Sequence, residues 1–500
     1  MIYWCRLLYR HLAVDLGAES GRVSVVTLRD EKISLEVLYR FPTRGVFVPA
    51  GNRLTLRWDV VRFFHEVLEG IRRAGSGVDS LGVDTWGVDY ALLDGHGDLV
   101  SLPYHYRDRR TEGVVKKVIE KLGKEYVYGK TGIQFMPINT LYQLYAMVLE
   151  DSPQLRIANS LLMMPDLFNY WLTGEKMSEF TIATTTQFYD PTIGEWCYEL
   201  LEKLDIPTRI LRDVVEPGTI LGKLDNKIAG LVGANMQVVA TTSHDTASAV
   251  VAVPALEENF AYISSGTWSL VGIEVGKPVI NDKALKYNFT NEGGYGRTIR
   301  FLKNVAGLWL IQELRKEWRI NGRLADYPEI VEAASKVKPF QYFIDPDYEE
   351  FIYISEKPMS ERIAEYCKRT GQSAPKSLPE MARTIFDSLA FKYRWVIEKI
   401  EEASGRKVDI IHIVGGGSKN WLLNQITADV TRRKVVAGPS EATTIGNAVV
   451  QMMALGEIGS IREARRIISQ SFPLKTYEPS IEEAVVEESY ERWISVVKLG

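Results

Sequence analysis

The feature that most constrains the fold is a glycine-bearing turn between two short apolar runs, which occurs once in each half of the chain. The first turn lies within 12–26, around Gly17 and Gly21, and the second within 260–273, around Gly266. Each pattern predicts a β-hairpin whose turn amides and hydroxyls can face a phosphate. Taken singly, an ordinary hairpin is the commoner explanation. The repeat instead predicts two related domains that face each other over a nucleotide.

Length and composition limit the class of protein. A chain of 500 residues exceeds one ordinary core, so two large domains or three smaller ones are expected. Hydrophobic residues make up 46% and charged residues 25%, which is typical of a globular protein, and the net charge of −4 argues against a nucleic-acid partner. Three widely spaced cysteines indicate neither a disulfide framework nor a metal site, so a cytoplasmic protein is expected. Since no run reaches the roughly 20 apolar residues that span a bilayer, no membrane association is expected.

The middle of the chain places one acid between a predicted strand at 237–240 and a predicted helix at 247–253. Asp245 has two interpretations there. In the first it caps the helix, as Ser243 or Thr246 also can, because such side chains accept hydrogen bonds from the first helical amides. In the second it is a catalytic base kept ionised near the positive end of the helix. Local spacing favours the cap, and the rest of the chain has to decide.

Residues 81–93 predict a strand that carries both polar and aromatic side chains. Asp84, Trp86 and Asp89 suit a sugar, because sugar hydroxyls bind carboxylates and sugar ring faces pack on aromatic surfaces. A twisted strand with a glycine bulge is the alternative. Asp15 ends another strand that the pattern predicts to be buried, so its carboxylate requires a cation or hydrogen-bond donors beside it.

The C-terminal half adds helices and a glycine-rich turn. A helix is predicted to begin at Asn304 and to carry Gln312 about two turns along. A second helix, at about 379–403, is predicted to end at Gly405. It precedes an apolar strand at 409–414 that is expected to be buried on both faces. Three glycines at 415–417 then permit close approach of a ligand to the backbone, at a spacing that is neither a Rossmann fingerprint nor a Walker A motif. A further helix is predicted at about 441–455, where Gly446 permits close packing.

In this order and at these spacings, the segments resemble the FGGY carbohydrate kinases of the actin-like ATPase superfamily. The resemblance runs from about residue 12 to about residue 465 and rests on residues 15–22, 82–90, 243–246, 264–269, 291–294, 302–304 and 413–417. Each segment alone is a weak signal, whereas the ordered set is specific. The resemblance implies an α/β fold with two ribonuclease-H-like domains flanking a cleft. It places the sugar-side domain at 1–242, the ATP-side domain at 243–475 and a helical tail at 476–500.

The resemblance also implies roles for single residues. Asp245 matches the general base that accepts the proton of the attacking sugar hydroxyl, and Asp15 matches the carboxylate that holds Mg²⁺. The residues that match sugar contacts are Gly87, His244, Thr246 and Asn304. The residues that match ATP contacts are Ala18, Glu19, Ser20, Gly21, Arg22, Thr267, Gln312, Gly415 and Gly416. Because Glu19 adds a negative charge to a phosphate loop, its side chain is expected to turn towards Arg22, towards Mg²⁺ or to solvent.

The activity implied by the resemblance is phosphorylation of a ketose by a monomer or homodimer that uses ATP and Mg²⁺. L-Rhamnulose is the first expectation, with L-fuculose and L-xylulose as alternatives. Gly87 leaves space for the sugar, and Trp86 is expected to supply an apolar wall for the methyl group of a deoxysugar. A nucleotide-dependent switch of the actin-like group, without sugar chemistry, is the alternative from a different class.

Overall fold

The computed structural model describes residues 8–51, 53–320, 326–352 and 357–497. The β-strands are β1 Leu8–Leu16, β2 Ser20–Arg29, β3 Lys32–Pro42, β4 Val46–Ala50, β5 Arg53–Arg57, β6 Ser80–Thr85, β7 Tyr90–Leu93, β8 Ser160–Met163, β9 Ser178–Glu179, β10 Tyr189–Asp190, β11 Glu195–Trp196, β12 Val214–Val215, β13 Thr219–Lys223, β14 Gln237–Ala240, β15 Phe260–Ser265, β16 Trp268–Val275, β17 Thr290–Gly293, β18 Ile299–Ala306, β19 Ile410–Val414, β20 Lys434–Ala437 and β21 Lys475–Tyr477. The α-helices are α1 Val60–Ala74, α2 Val114–Leu122, α3 Lys124–Thr131, α4 Thr140–Leu149, α5 Pro153–Ile157, α6 Met164–Thr173, α7 Phe180–Ala183, α8 Tyr198–Lys203, α9 Asn226–Val232, α10 Asp245–Val251, α11 Asp282–Lys286, α12 Trp309–Ile320, α13 Tyr327–Ser335, α14 Glu349–Ile352, α15 Met359–Arg369, α16 Leu378–Ser404, α17 Trp421–Thr431, α18 Ala442–Ala454, α19 Ile461–Ser471 and α20 Glu483–Val497. Among these helices, none is both long and apolar enough to cross a membrane.

The chain forms two compact units, each built from separated segments. The first unit comprises Met1–Leu256, Glu274–Phe301 and Glu441–Phe472, and the second comprises Glu257–Ile273, Leu302–Ser440 and Pro473–Gly500. The boundary expected after residue 242 falls within the first unit. The division of the sequence into domains at 242 and 475 therefore stays a prediction.

The first unit is organised around a six-stranded sheet with the order β13-β14-β6-β1-β2-β3. β1 and β2 form the predicted antiparallel hairpin, which is confirmed. β1 and β14 both run parallel to β6, so the carboxyl ends of these three strands lie at one edge of the sheet. In an α/β sheet that edge is where ligands bind. The register of β1 and β6 pairs Asp15 with Asp84.

The prediction of one continuous strand over 81–93 is wrong. β6 ends at Thr85, and β7 pairs with β8 in a separate two-stranded sheet. The break lies at Val88, whose φ of 69° turns the chain away from the direction of β6. Val88 is held there by Thr185, whose hydroxyl accepts a hydrogen bond from the Val88 amide at 3.2 Å. A contact with a residue about a hundred positions away decides the conformation, and local patterning does not reveal it.

The sheet of the second unit includes strands in the order β18-β16-β15-β19-β20-β21. β15 and β16 form the second predicted hairpin, which is confirmed, and β19 runs parallel to both β15 and β20. All five residues of β19 are buried, as the apolar run predicted. The long helix α16 ends as predicted at Gly405, which adopts the left-handed conformation at φ 72°.

The helix predicted to begin at Asn304 starts later. Asn304 lies in β18, and α12 begins at Trp309, which places Gln312 in its first turn. The chain turns at Gly307, where a Cβ atom would lie 2.6 Å from the backbone carbon of Trp268. The amide of Gly307 donates to the carbonyl oxygen of Thr267 at 3.1 Å. The turn of the second hairpin therefore fixes where this helix begins.

Close packing of α18 at Gly446, which the sequence predicted, is confirmed. α18 lies against α10 within the first unit, and a Cβ atom at Gly446 would be 2.6 Å from the backbone carbon of Ser248. One face of α18 also carries polar side chains. Gln451 donates to the carbonyl oxygen of Leu12 in β1 at 3.1 Å, and Ser80 in β6 donates to Gln451 at 2.6 Å. Helix α18, which packs on α10, is thereby hydrogen-bonded to both β1 and β6.

Candidate active site

Three carboxylates lie at the carboxyl edge of the first unit's sheet. Asp15 ends β1 and Asp84 lies beside it in β6. Asp245 follows β14, and the chain there is fixed to β6 because the Thr85 amide donates to the carbonyl oxygen of Ser243 at 2.9 Å. Asp15 and Asp84 are buried, whereas the side chain of Asp245 is 31% exposed. Of the three, Asp245 is the acid that a substrate can reach.

Asp15 has the cationic partner that its burial requires. Nε of Arg22 lies 3.1 Å from Oδ2 of Asp15, and the same guanidinium pairs with Glu441. The hydroxyl of Thr444 donates to Oδ2 of Asp15 at 3.1 Å. Burial raises the pKa of Asp15, and the positive charge of Arg22 acts against that rise.

Asp84, which lies opposite Asp15 in the register of β1 and β6, is completely buried. Burial raises its pKa well above the ordinary range, and the negative charge of Asp15 adds to the effect. Asn447 donates to Oδ2 of Asp84 at 2.6 Å. Oδ1 of Asp84 is buried and has no hydrogen-bond partner among the described residues. A buried carboxylate oxygen without a partner is costly, and it marks a position that a bound ion or water can satisfy.

The capping interpretation of Asp245 is not supported. The residue at the N-cap position of α10 is His244, and Asp245 is the first helical residue. No described side chain makes the N-cap hydrogen bond of this helix. The hydroxyl of Thr246 donates to Oδ1 of Asp245 at 3.2 Å, and the side chain of Asp245 is 31% exposed.

Glu179 holds the turn that carries Asp245. Its buried carboxylate accepts hydrogen bonds from the amides of Thr181 at 2.9 Å, Ile182 at 3.1 Å and Ser243 at 3.1 Å. Burial raises the pKa of Glu179 to about 7, and these hydrogen bonds act against that rise. The sequence pattern does not reveal Glu179, which lies in a polar segment with no recognisable spacing.

His244 belongs to a buried charged cluster. Its Nδ1 lies 3.0 Å from Nη2 of Arg300 and 3.4 Å from Oε2 of Glu292, and those two groups are 3.2 Å apart. Its Nε2 lies 3.4 Å from Oδ1 of Asp245. A Cβ atom at Gly87 would lie 3.3 Å from this Nε2, so Gly87 leaves space in front of the imidazole.

Two side chains that suggested a sugar surface are instead part of the core. Trp86 is 5% exposed and packs on Trp58 with ring centroids 4.1 Å apart. Asp89 accepts hydrogen bonds from both indoles, at 2.6 Å from Trp58 and 3.0 Å from Trp86. It also accepts from Gln143 at 2.9 Å, and burial raises its pKa to about 6. Asp89 is therefore engaged by the protein, and the expectation that Trp86 forms an open apolar wall is not supported.

Glu19 lies in the loop of the first hairpin. Its side chain is 46% exposed and lies 3.8 Å from Nε of Arg44, which is itself exposed. Glu19 therefore turns towards solvent, one of the three expected directions. Ser20 in the same loop is also exposed, and Ala18 is half-buried.

In the second unit, the glycine-rich turn lies against the second hairpin. Gly415 has φ 82°, and a Cβ atom there would lie 3.0 Å from the carbonyl oxygen of Ser265. A Cβ atom at Gly416 would meet nothing within 4 Å among the described residues. Thr267 and Gln312 face each other at 3.4 Å across the start of α12. The strand residue Asn304 belongs to the same unit.

The first unit therefore brings together Asp15, Arg22, Gly87, His244, Asp245 and Thr246, and the second contains Asn304, Thr267, Gln312, Gly415 and Gly416. Three residues of the site were not predicted from the sequence: Glu179, Glu292 and Arg300. Glu292 lies in the segment 291–294, which contributed to the resemblance without a function. A signal was present for Arg300, one of two cations in the largely apolar run of β18, because a cation has to be paired when it is buried.

Comparison with solved structures shows the fold. The chain is similar to a ligand-bound xylulose kinase from Lactobacillus acidophilus, with a TM-score of 0.80 at 16% identity over 98% of this chain and 97% of that one. It is also similar to a Plasmodium falciparum glycerol kinase with ADP, with a TM-score of 0.78 at 14% identity over 98% of each chain. The fold is the two-domain actin-like ATPase fold of sugar kinases, as predicted.

Sequence comparison gives the family. The N-terminal domain of the FGGY family of carbohydrate kinases matches residues 11–252, and its C-terminal domain matches residues 261–455. The chain therefore belongs to the FGGY family of carbohydrate kinases. It is 43% identical to a rhamnulokinase of Oceanobacillus iheyensis over 93% of this chain and 98% of that one. It is 39% identical to a rhamnulokinase of Bacillus subtilis over 97% of this chain and 98% of that one. As a carbohydrate kinase, it transfers a phosphoryl group from ATP to a sugar.

Proposed function

We propose that the protein transfers the γ-phosphoryl group of ATP to the hydroxyl at carbon 1 of L-rhamnulose. The observation that carries this proposal is the likeness to rhamnulokinases at 39–44% identity over 93–97% of the chain. The carboxylate edge of the first unit supports it, because it contains an accessible acid beside two buried ones. Because the reaction uses ATP, we place it in the cytoplasm.

Asp245 acts as the general base in this proposal. The proton of the sugar hydroxyl passes to a carboxylate oxygen of Asp245, and the freed oxygen attacks the γ-phosphorus. The bond between that phosphorus and the bridging oxygen breaks, and ADP leaves. Phosphoryl transfer has a loose transition state, so the base has only to be close and aligned. The partial exposure of Asp245 supports the role, since Asp15 is already engaged by Arg22 and Thr444.

The proposed sugar contacts are Gly87, His244, Thr246 and Asn304. Gly87 and His244 are the best supported. A Cβ atom at Gly87 would lie 3.3 Å from Nε2 of His244, so the two residues border the same space. The hydroxyl of Thr246 lies beside Asp245 and is available to orient the carboxylate. Asn304 is proposed from the family resemblance alone.

The proposed ATP contacts are the hairpin residues Ala18, Glu19, Ser20, Gly21 and Arg22, together with Thr267, Gln312, Gly415 and Gly416. The open side of Gly416 supports close approach of a nucleotide to the backbone. Gln312 and Thr267 offer amide and hydroxyl groups at the start of α12. The solvent-facing direction of Glu19 supports phosphate binding, because it keeps the carboxylate away from the anion.

The residues at the carboxylate edge fit Mg²⁺. Asp15 is the proposed ligand and would bind the ion through a water molecule. Asp84 lies on the neighbouring strand, and its Oδ1 has no hydrogen-bond partner among the described residues. Hard divalent cations prefer such oxygen donors. When bound, Mg²⁺ offsets the charge that grows on the transferred phosphoryl group. Thr444 and Asn447 keep the two carboxylates in place for this purpose.

A panel of ketoses tests the substrate. L-Rhamnulose, L-fuculose and L-xylulose are each offered with ATP and Mg²⁺, and ADP release is followed by a coupled assay. The highest kcat/KM is expected for L-rhamnulose, and the product is expected to carry phosphate on carbon 1, which ³¹P NMR of the product identifies.

Two other outcomes overturn the assignment. Equal or better turnover of another ketose removes L-rhamnulose as the substrate while leaving the class of enzyme intact. ATP turnover that is the same with and without every sugar favours a nucleotide-dependent switch instead.

A further inference from the structure

Arg300 is completely buried, and its surroundings determine which nitrogen of His244 carries a proton. Its Nε donates to the carbonyl oxygen of Gly293 at 2.8 Å, which fixes the plane of the guanidinium. Its Nη2 then lies 3.0 Å from Nδ1 of His244. A guanidinium can donate hydrogen bonds but cannot accept them. A hydrogen bond at this distance therefore requires Nδ1 to be the unprotonated nitrogen.

Glu292 balances the charge of Arg300. Its Oε2 lies 3.2 Å from Nη2 of Arg300 and 3.4 Å from Nδ1 of His244, so the carboxylate is closer to the guanidinium than to the imidazole. The pKa of Glu292 is lowered despite its burial, and the positive charge of Arg300 is a cause that favours its ionised form. An ionised Glu292 and an ionised Arg300 together contribute no net charge beside Nδ1 of the imidazole.

We propose that Arg300 and Glu292 are positioning residues that hold His244 as the neutral Nε2–H tautomer, so that Nε2–H donates to an oxygen of the sugar in the space beside Gly87. The inference rests on the proposed function, since it names the sugar as the acceptor. The geometry sets the direction of the donor, because Nε2 faces both the Gly87 space and Oδ1 of Asp245.

The neutral tautomer also preserves the strength of the base. An imidazolium 3.4 Å from Asp245 would stabilise the ionised carboxylate and make it a weaker proton acceptor. A neutral imidazole still orients the carboxylate and the sugar by donating a hydrogen bond. The Nδ1–H tautomer would have no donor to offer at Nε2, and the sugar would lose that contact.

The first test reads the tautomer without sugar or turnover. The protein contains six histidines, so long-range ¹H–¹⁵N spectra of the full chain labelled in histidine can resolve each ring, and His244→Gln identifies the signal of interest. The expected spectrum near neutral pH shows an unprotonated Nδ1 and a protonated Nε2 at His244. A protonated Nδ1, in either the neutral or the charged ring, overturns the proposal.

The second test changes the donor. Arg300→Met removes it and leaves Nδ1 facing Glu292, so the tautomer is expected to switch to Nδ1–H. A loss of roughly two- to tenfold in kcat/KM for the sugar is expected, as for the loss of one hydrogen bond between neutral groups. Arg300→Lys keeps a donor and is expected to retain the Nε2–H tautomer and most of the turnover. An unchanged tautomer in Arg300→Met contradicts the inference even if activity falls.

A matched control separates positioning from stability. Arg383 is similarly buried and pairs with Asp387 at 2.7 Å in the second unit, whereas His244 belongs to the first. Arg383→Met is expected to lower stability but to leave the His244 spectrum unchanged. If the spectra are as expected but no ketose is phosphorylated, the proposed function fails while the tautomer assignment stands.

Discussion

At the scale of single residues, Asp245 shows how position and partners separate a catalytic acid from a structural one. Its neighbours Asp15 and Asp84 are buried, and one oxygen of each accepts a hydrogen bond, from Thr444 and Asn447 respectively. Asp245 is the partly exposed member and does not cap its helix. Accessibility, rather than residue type, distinguishes the candidate base.

Asp245→Asn is expected to lower sugar-dependent kcat by roughly 10²- to 10⁴-fold, because the amide cannot accept the proton. The folded protein is expected to be as stable as the parent or more so, since the change removes a negative charge that acts on both Asp15 and Asp84. Steady-state kinetics and thermal unfolding of the same preparation measure the two effects.

A true helix cap is the appropriate control for this variant. Asp225 caps α9 by accepting a hydrogen bond from the amide of Lys227 at 2.8 Å. Asp225→Ala is expected to cost about 1 kcal/mol of stability and to leave turnover unchanged. Near-normal turnover in Asp245→Asn, or an equal stability loss in Asp245→Ala, would return Asp245 to a capping role.

Glu179 provides a test of buried charge. Its pKa is raised from 4.5 to about 7, so the ionised form is less stable in the folded protein than in the unfolded chain. The stability contributed by this group is fully present below pH 4.5 and is lost as the pH rises through about 7. Glutamine does not titrate, so the difference in unfolding free energy between Glu179→Gln and the parent should increase by up to about 3 kcal/mol over that window.

Urea unfolding at pH 5 and pH 8 measures this difference. Glu120 is exposed on α2, and Glu120→Gln is expected to differ from the parent by the same amount at both pH values. A Glu179→Gln difference that is equally flat would show that the carboxylate is not destabilised by burial. Since Glu179 accepts from the Ser243 amide, the same variant also reports how firmly the Asp245 turn is held.

At the scale of elements, the pairing of α10 with α18 sets the position of Asp245. Gly446 lets the two helix backbones touch at Ser248, three residues beyond Asp245. Gly446→Ala is expected to cost about 1–3 kcal/mol, because the added methyl group has no space and the helices have to separate. Turnover is expected to fall as well, since α10 carries the base.

Gly230 supplies the comparison for that substitution. It lies inside α9, and a Cβ atom there would meet nothing within 4 Å among the described residues. Gly230→Ala is expected to stabilise the protein by about 0.5–1 kcal/mol, because alanine favours the helix. Chemical denaturation of both variants distinguishes steric overlap from helix propensity, and equal effects at the two sites would argue against close helix packing at Gly446.

The elements that the sequence predicted correctly are those fixed by local chemistry. The two hairpins follow from glycine turns between apolar runs, and α16 ends where Gly405 permits a left-handed residue. The failures arose where distant segments decide the conformation. Thr185 holds Val88 at a positive φ and divides the strand predicted over 81–93, and the Thr267 turn delays the start of α12 beyond Asn304.

The candidate site was predictable to a similar degree. The order of the motifs predicted Asp15, His244 and Asp245 as site residues. Polar residues at the ends of apolar strands and at turns can be recognised in the sequence. The supporting group Glu179 cannot, and Arg300 shows only as a cation in a largely apolar strand, since their roles depend on which buried atoms they meet. Burial and partnership are properties of the folded chain.

At the scale of the whole molecule, the proposed ligand contacts are divided between the two units. The residues proposed for the sugar are mainly in the first unit, with Asn304 in the second. The residues proposed for ATP are mainly in the second unit, with the hairpin loop at 18–22 in the first. Each substrate should therefore leave its own pattern of protection on the chain.

Hydrogen–deuterium exchange with one ligand at a time measures these patterns. ADP with Mg²⁺ is expected to slow exchange in 17–22, 264–268 and 412–420, by roughly 10–100-fold at saturating ligand. L-Rhamnulose alone is expected to slow exchange in 84–90, 243–246 and 302–306. The remote helix α2 should exchange equally in all states and serves as the internal reference. Protection by ADP that is confined to the first unit would contradict the nucleotide assignment, because Thr267, Gln312, Gly415 and Gly416 all lie in the second.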